Sequence, residues 1–350
     1  MKKESLMGKT LIFIGPINEG GAAIGGAVRK NQLLLCRFKE VFNKVITVDV
    51  INWTKRPWVL MRLFFVLLRH RKAKVVYSAS SKHLISFLYY LPMNKNVFFW
   101  VLGGDLHLGV KSGIYNLKAL SSLKKILVQG RSMVDELTAL GLQNVQYIPN
   151  TKPIIFKPEI CKKKTTDPYR FVFLSRIHSY KGVREIFEAA SLLIQQGQGD
   201  RFIVDFYGVV DMGFQAEFEH LLSTCSNVTY KGFLDLTSAE GYRLLSTYDV
   251  MLFPTYFEGE GFPGVVLDAN MAGLPIIATD WNLNREVIVE NSTGVIIPIH
   301  NSDALAESMM RFMYGELNLT YMKQQCVTHV MQYDICNVLS EQFLKTINLL

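Results

Sequence analysis

Apolar residues in this chain cluster in short runs that end at glycine or polar residues. In the first half the runs are Leu11–Gly15, Lys44–Val50, Lys74–Ser78, Asn96–Leu102, Lys125–Gln129 and Asn144–Ile148. Continuous runs of this length are typical of strands buried on both faces of a sheet. Helical patterns over Leu33–Phe38 and Ser132–Leu140 separate some of them, so the pattern predicts an α/β domain with a doubly wound parallel sheet.

A second alternating series follows a break at residues 151–168, where three prolines and a lysine run predict an interdomain linker. Its predicted strands are Arg170–Ser175, Phe202–Gly208, Val228–Lys231, Val250–Phe253, Pro275–Ala278 and Gly294–Ile297. Its predicted helices are Val183–Gln195, Ala216–Ser223 and Pro263–Ala272. We therefore expect two Rossmann-like domains, 1–155 and 169–333, with ligands at the carboxyl ends of the strands.

Length and charge agree with two domains of different character. The chain has 350 residues, more than one core usually holds. Residues 1–150 carry 22 Lys and Arg against 7 Asp and Glu, whereas residues 151–350 carry 16 against 23. A basic half of this kind suits an anionic membrane surface, a polyphosphate lipid or nucleic acid.

The five cysteines form no CxxC pair and no zinc spacing, which indicates free thiols in a reducing cytoplasm. We expect no signal peptide, because no cleavage site follows the first residues.

The segment 55–74, KRPWVLMRLFFVLLRHRKAK, has two interpretations. It is too short to span a bilayer, and Arg62 interrupts its apolar stretch. One interpretation is a helix lying in an anionic membrane interface, with Arg62, Arg69 and Arg71 contributing to the attraction. The other is an ordinary helix that packs its apolar side on the sheet.

Two local patterns indicate diphosphate chemistry. Arg176 and Lys181, in FLSRIHSYKG, follow a predicted strand and precede a helix, where two cations and a helix N-terminus stabilise a diphosphate. The stretch EGEGFPGVVLD from Glu258 to Asp268 runs from a strand end through glycines into a helix. Its glycines allow backbone amides to approach a phosphate or sugar closely. No D-x-D metal motif occurs, so we expect cations of the protein to replace a metal.

The C-terminal half resembles the family 4 retaining glycosyltransferases, which have the GT-B fold of two Rossmann-like domains facing a cleft. EGFPGVVLDANMAGLPIIA, from Glu260, matches a family segment in which seven residues separate two glutamates, as seven separate Glu260 from Asp268, and Arg176 and Lys181 match the family's arginine and lysine. The resemblance covers roughly Phe171–Pro298. It implies that Glu260 contacts the transferred sugar and that Asp268 bonds the ribose. Asp268 is one methylene shorter than the usual glutamate, which leaves this contact direct, water-bridged or lost.

Further site residues follow from the same resemblance. Lys231, Gly232 and Phe233 lie near where such proteins hold the base, and Gly261, Phe262, Pro263 and Gly264 line the donor. Gly20 and Gly21 match a glycine pair over the donor phosphates; their spacing does not fit the G-x-G-x-x-G of dinucleotide sites. His107, in GGDLH, matches a histidine that contacts the donor sugar, with Asp105 as a neighbour. His178 is interpreted as incidental.

The resemblance implies a retaining, metal-independent transferase without a cofactor. The donor is a nucleotide sugar, with UDP the most frequent carrier in the family and GDP the alternative. The first domain is expected to bind the acceptor, and a final helix, 334–350, to cross back onto it. A basic first half suits a lipid-linked glycan acceptor at the inner face of a bacterial membrane, in capsule, O-antigen or exopolysaccharide synthesis. The alternatives are an inverting transferase or epimerase, and a non-catalytic basic protein. Nucleic acid is not expected as a partner, because no recognition motif accompanies the charge.

Overall fold

A computed structural model describes residues 10–18, 25–79, 82–90, 96–160 and 168–350. The chain forms two compact units, one comprising Met1–Pro149 with Ile335–Leu350 and the other Asn150–Asp334. Gly20 and Gly21 lie outside the described residues.

The first unit is built on a six-stranded parallel sheet with strand order β2-β1-β3-β4-β5-β6. Its strands are β1 Thr10–Gly15, β2 Lys44–Asp49, β3 Lys74–Tyr77, β4 Val97–Trp100, β5 Lys125–Val128 and β6 Val145–Tyr147. Its helices along the chain are α1 Gly26–Val41, α2 Trp58–Arg69, α3 Lys82–Tyr90, α4 Leu106–Lys111, α5 Leu117–Ser121 and α6 Arg131–Ala139. The central strands are almost wholly buried because helices cover the sheet, as in doubly wound folds.

The second unit repeats this architecture with strand order β12-β11-β10-β7-β8-β9, again all parallel. Its strands are β7 Tyr169–Leu174, β8 Phe202–Tyr207, β9 Val228–Tyr230, β10 Val250–Phe253, β11 Ile276–Thr279 and β12 Gly294–Ile297. Its helices are α7 Val183–Gln195, α8 Gln215–Thr224, α9 Ala239–Leu245, α10 Gly264–Met271, α11 Asn284–Val287, α12 Ser302–Met313 and α13 Leu319–Val330. Stacked aromatic rings fill the core, with Phe173 4.8 Å and Phe187 5.5 Å from the ring of Phe206.

The C-terminal segment differs from the single helix expected over 334–350. It forms two short helices, α14 Ile335–Val338 and α15 Glu341–Thr346. The break falls where the Ser340 hydroxyl accepts a hydrogen bond from the Phe343 amide and begins a new helix. Apolar side chains of this segment, Leu339 and Leu344 among them, join the core of the first unit.

The stretch interpreted as a linker is packed rather than loose over its described residues 151–160. Phe156 stacks on Tyr242 with ring centroids 6.2 Å apart, and Pro158 and Ile160 lie against Gly273. Apolar side chains among the prolines therefore hold the segment on the second unit.

Candidate functional site

Strand order fixes where a ligand of the second unit is expected. The chain runs from β7 outward to β8 and β9, then returns to β10 on the other side of β7. The winding direction reverses between β7 and β10, and ligands of open α/β sheets usually bind at such a switch point, outside the carboxyl ends of the strands. The loop after β7 carries Arg176 and Lys181, and the loop after β10 carries Glu260. The structure therefore brings together the two patterns singled out in the sequence.

An ion pair joins the two loops. The Lys181 ammonium is hydrogen-bonded to the Glu260 carboxylate, and the two side chains are only 14% and 15% exposed. The hydroxyl of Thr255 lies 3.3 Å from the same carboxylate oxygen. The Lys181 nitrogen also lies 4.8 Å from the centre of the Phe257 ring, within cation–π range. Glu260 and Lys181 are thus held in place and still reach solvent.

The backbone of the β10 loop is anchored from both sides. Asn282 donates its side-chain amide to the Glu260 carbonyl at 2.9 Å, and the Trp281 indole donates to the Phe257 carbonyl at 2.8 Å. The Tyr256 hydroxyl donates to the Ser179 carbonyl of the β7 loop at 2.9 Å. These bonds fix the geometry of the loop in advance, which favours positioning of a reacting group.

Close packing of Gly182 on the backbone of Pro254 brings the N-terminus of α7 to this edge of the second sheet. Gly182, with φ 73°, precedes α7, and a Cβ there would lie 2.1 Å from the Pro254 carbonyl oxygen. Only glycine permits this approach of the two loops. Helix α10 begins at Gly264 immediately after the β10 loop. Two helix N-termini and two cations therefore follow the switch-point strands, an arrangement that suits an anion.

Arg176 differs from Lys181 in its surroundings. It is exposed, and no hydrogen bond or ion pair to its side chain is found in the part of the chain that the structure describes. Its guanidinium is therefore available to a ligand, whereas Lys181 is already paired.

Asp268 has partners that the sequence did not indicate. Its buried carboxylate is hydrogen-bonded through both oxygens to the Lys152 ammonium, and it accepts a 2.6 Å bond from the Tyr242 hydroxyl. Lys152 lies in the stretch predicted as a linker, and Tyr242 lies in α9, a helix that we did not predict. The residues are 116 and 26 positions from Asp268, so spacing alone gave no signal.

The ends of β8 and β9 bring the expected base-binding residues to the same edge of the sheet. The Gly208 amide donates to the Gly232 carbonyl at 2.8 Å, and Gly232 has φ 81°. The Lys231 ammonium lies 3.6 Å from buried Asp205. Phe233 is 64% exposed, so its ring is free to stack on a planar ligand.

His178 has a structural role. Its Nδ1 accepts a 3.3 Å hydrogen bond from the Tyr180 amide, and its ring stacks on Tyr180 with centroids 5.0 Å apart. These contacts stabilise the turn that leads to Lys181.

In the first unit the winding reverses between β1 and β3. Here a Cβ on Gly15 would lie 2.7 Å from the Ser78 carbonyl oxygen, and the Asn31 amide bridges the Pro16 and Ser78 carbonyls. The Asp49 carboxylate accepts from the Asn18 amide at 3.1 Å. These bonds hold the described residues that follow β1, up to Asn18.

His107 lies in α4, which follows β4, and its Nε2 is 3.1 Å from the Glu136 carboxylate on α6. Lys111 is 3.4 Å from the same carboxylate. The buried Nδ1 of His107 has no hydrogen-bond partner within the described residues. Asp105 is exposed at the start of α4. Burial raises the pKa of Tyr115 above its ordinary value, and the charge of Asp105 raises it further.

The described ranges contain no group of three or more His, Cys, Asp and Glu side chains arranged to hold a metal ion. No helix within them is long and apolar enough to cross a membrane.

Comparison with known proteins agrees with this geometry. Residues 157–326, just under half of the chain, match the family model described as glycosyl transferases group 1. The chain is 28% identical over 157 residues to the amylovoran biosynthesis glycosyltransferase AmsK of Erwinia amylovora, covering 43% of this chain and 38% of that protein. It is 26% identical over 174 residues to the N,N'-diacetylbacillosaminyl-diphospho-undecaprenol alpha-1,3-N-acetylgalactosaminyltransferase of Campylobacter jejuni, covering 50% and 43%. The matches thus span less than half the length of these relatives.

The fold extends over almost the whole chain. The Anabaena protein Alr3699/HepE, solved in complex with UDP, superposes with a TM-score of 0.71 at 12% identity, covering 98% of this chain and 100% of that one. This likeness confirms the predicted fold class, two Rossmann-like domains of the GT-B type.

Proposed function

We propose that this protein is a retaining, metal-independent glycosyltransferase of family 4. It transfers a sugar from a nucleoside diphosphate, UDP in the first instance, to a glycan or polyprenyl-diphosphate-linked acceptor in cell-surface polysaccharide synthesis. The observation that carries the proposal is the Lys181–Glu260 pair at the switch point of the second sheet. The match of residues 157–326 to the group 1 model supports it.

The diphosphate is assigned to Arg176, Lys181 and the N-termini of α7 and α10. As the bond between the anomeric carbon and the diphosphate breaks, negative charge grows on the leaving oxygen. The two cations and the helix dipoles stabilise that charge where it develops, and electrostatic stabilisation of this kind is the largest single contribution in many enzymes. Lys181 is oriented by Glu260 before a ligand arrives.

Glu260 is assigned to the transferred sugar. A diphosphate that attracts the Lys181 ammonium competes with Glu260 for it, which frees the carboxylate to accept hydrogen bonds from sugar hydroxyls. The acceptor hydroxyl then attacks on the face that the diphosphate leaves, and its proton passes to the departing phosphate. Glu260 has no covalent role in this scheme, unlike the nucleophile of a retaining glycosidase.

The nucleoside is assigned to Lys231, Gly232 and Phe233 for the base and to Asp268 for the ribose. A carboxylate offers about four acceptor positions, and Lys152 and Tyr242 occupy three on Asp268. One position remains for a ribose hydroxyl, so a ribose contact shares the carboxylate with two protein donors. Gly261, Phe262, Pro263 and Gly264 supply the backbone beside the sugar and the phosphates.

The acceptor is assigned to the first unit. Its excess of Lys and Arg suits a phosphorylated acceptor. The similarity to a transferase whose name specifies a diphospho-undecaprenol substrate supports a lipid-linked glycan. His107 is assigned to the donor sugar, and Gly20 and Gly21 to the donor phosphates.

A donor panel in EDTA tests the proposal. UDP-glucose, UDP-galactose, UDP-N-acetylglucosamine and GDP-mannose are scored for thermal stabilisation and slow hydrolysis, with wild type, Glu260→Gln and Glu258→Gln in parallel. Glu258 is an exposed carboxylate in the same loop and makes a matched control. We expect one donor to stabilise all three proteins and Glu260→Gln alone to lose roughly 100-fold in turnover. The anomeric configuration of the product, read by NMR, separates retention from inversion.

Equal turnover in the two variants would remove Glu260 from the mechanism. Absence of stabilisation by every donor would contradict a UDP-hexose or UDP-N-acetylhexosamine enzyme. A requirement for added divalent metal would contradict the assignment of the diphosphate to Arg176 and Lys181.

A further inference from the structure

Helix α2 has two apolar faces. Val59, Leu63 and Leu67, spaced four residues apart, are buried and form the face that packs inward. The opposite face carries Trp58, Met61 and Phe65, which are 59%, 63% and 61% exposed. The ordinary-helix interpretation of this segment explains the first face and leaves the second without a role.

An exposed row of a tryptophan, a methionine and a phenylalanine is costly in water. Monomeric soluble proteins rarely expose contiguous large apolar side chains, and such patches mark surfaces that bind something. Phe64, 36% exposed, extends the row and contacts the Phe65 ring edge-on at 5.6 Å.

Arg62 does not interrupt this face as the sequence suggested. Its guanidinium donates a 3.1 Å hydrogen bond to the Thr47 carbonyl on β2, the edge strand of the sheet. The side chain therefore lies back against the protein, and the aromatic row projects beside it.

A basic cluster adjoins the C-terminal end of the helix. Arg69, Arg71 and Lys72 are exposed, and with His70 and Lys74 they line a pocket of about 530 Å³. Arg69, in the last turn, offsets the negative end of the helix dipole. Arg71 and Lys72 lie beyond the helix, so the dipole does not explain them.

No acidic residue close in the sequence neutralises this charge. Residues 50–104 contain nine Lys and Arg and no Asp or Glu. A partner of opposite charge with an apolar interior meets both requirements of the surface, and a bilayer of acidic phospholipids has that chemistry.

We propose that α2 and the basic cluster form a membrane-docking surface. The helix lies parallel to the bilayer plane, with Trp58, Met61 and Phe65 among the acyl chains, while Arg71 and Lys72 bind phosphate headgroups. This inference does not depend on the proposed transferase activity, because binding to vesicles requires neither donor nor acceptor.

Vesicle co-sedimentation tests the surface. The full chain is mixed with phosphatidylcholine vesicles that contain about 30% phosphatidylglycerol, and with pure phosphatidylcholine vesicles, at low and high salt. We expect binding only to the acidic vesicles and release by salt. Arg71→Gln/Lys72→Gln is expected to weaken the partition coefficient roughly 30-fold, and Phe65→Ser about tenfold.

Controls distinguish a specific surface from net charge. Lys118→Gln/Lys124→Gln removes two exposed cations elsewhere in the same unit, and Met212→Ser removes a 91% exposed methionine from the other unit. Both are expected to bind acidic vesicles within about twofold of wild type, because they lie outside the surface. Thermal unfolding confirms that every variant is folded.

Three results would overturn the proposal. Wild type could fail to sediment with acidic vesicles. The control pair could lose as much binding as Arg71→Gln/Lys72→Gln, which would make the attraction a matter of overall charge. Self-association without vesicle binding, lost in Phe65→Ser, would make the face an interface between two copies of this chain.

Discussion

The Lys152–Asp268 ion pair can be tested separately for its effects on stability and on donor binding. Both side chains are largely buried, 16% and 8% exposed, and Tyr242 adds a hydrogen bond to the same carboxylate. Removing one partner of a buried pair leaves the other charge uncompensated, which costs about 3–5 kcal/mol. Lys152→Met keeps the aliphatic volume and removes only the charge.

We expect Lys152→Met to lower the free energy of unfolding by about 3 kcal/mol, the lower end of that range, because both side chains keep some contact with solvent. For a unit of this size each kcal/mol shifts the melting temperature by about 2–4 °C, so the midpoint falls by roughly 6–12 °C. The double variant Lys152→Met/Asp268→Asn replaces both charges. Its amide oxygen still accepts from the Tyr242 hydroxyl, so it should lie within about 1 kcal/mol of wild type.

Thermal unfolding of wild type, the two single variants and the double variant forms a complete cycle. A double variant as unstable as Lys152→Met would refute the reasoning, because the loss would then not come from an unpaired carboxylate.

The same four proteins report on ribose binding through the donor KM. If Asp268 accepts a ribose hydroxyl, the double variant regains stability but its donor KM stays raised by about tenfold. A double variant with wild-type stability and wild-type KM would restrict Asp268 to a structural role.

Three further outcomes are expected. Gly208→Ala should lower the free energy of unfolding by at least about 3 kcal/mol, seen as a lower melting temperature, because its Cβ would lie 1.7 Å from the Ser175 carbonyl oxygen. Gly199→Ala is the neutral control, because no atom would lie nearer than 3.9 Å to its Cβ. An equal loss in Gly199→Ala would contradict the steric explanation. His107→Ala should lower kcat by about 10-fold or more in a nucleotide-release assay, and an unchanged kcat would remove it from the site. Burial lowers the pKa of His329, so its contribution to stability is complete above its ordinary pKa of 6.5 and is lost as the pH falls below it. Melting temperatures at about pH 7.5 and 5.5 should therefore differ less in His329→Gln than in wild type.

The architecture was predictable because burial on both faces makes each parallel strand a continuous apolar run. Val250–Phe253 and Gly294–Ile297 were predicted with the bounds observed, and each is preceded by a polar residue and followed by a proline. Helix α1 was predicted too short. It begins at Gly26 and ends at Val41, and its N-terminal turns carry polar side chains such as Asn31 that are buried through hydrogen bonds rather than apolar contact.

The switch-point residues were also predictable, since the chain positions of Lys181 and Glu260 place both at strand ends. What the sequence did not indicate was that they contact each other. That contact depends on Gly182 packing on the Pro254 carbonyl, a backbone approach between loops more than 70 residues apart. The partners of Asp268 were missed for the same reason, because pairing across long separations leaves no local pattern.

The Lys181–Glu260 and Lys152–Asp268 ion pairs of the second unit suggest different tasks for their carboxylates. Glu260 shares Lys181 in a site that solvent reaches, and Lys181 also faces the ring of Phe257, so the ammonium has an alternative favourable contact when the carboxylate is withdrawn. The Asp268 carboxylate is 8% exposed against 15% for Glu260, and the Tyr242 hydroxyl lies 2.6 Å from it, closer than the 3.3 Å between the Thr255 hydroxyl and Glu260. Exchange of partners is therefore less costly at Glu260 than at Asp268. A bound diphosphate should displace Lys181 from Glu260 and leave the Lys152–Asp268 pair intact. The carboxylate that changes partner then lies beside the reacting sugar, and the carboxylate that keeps its partner lies beside the nucleoside.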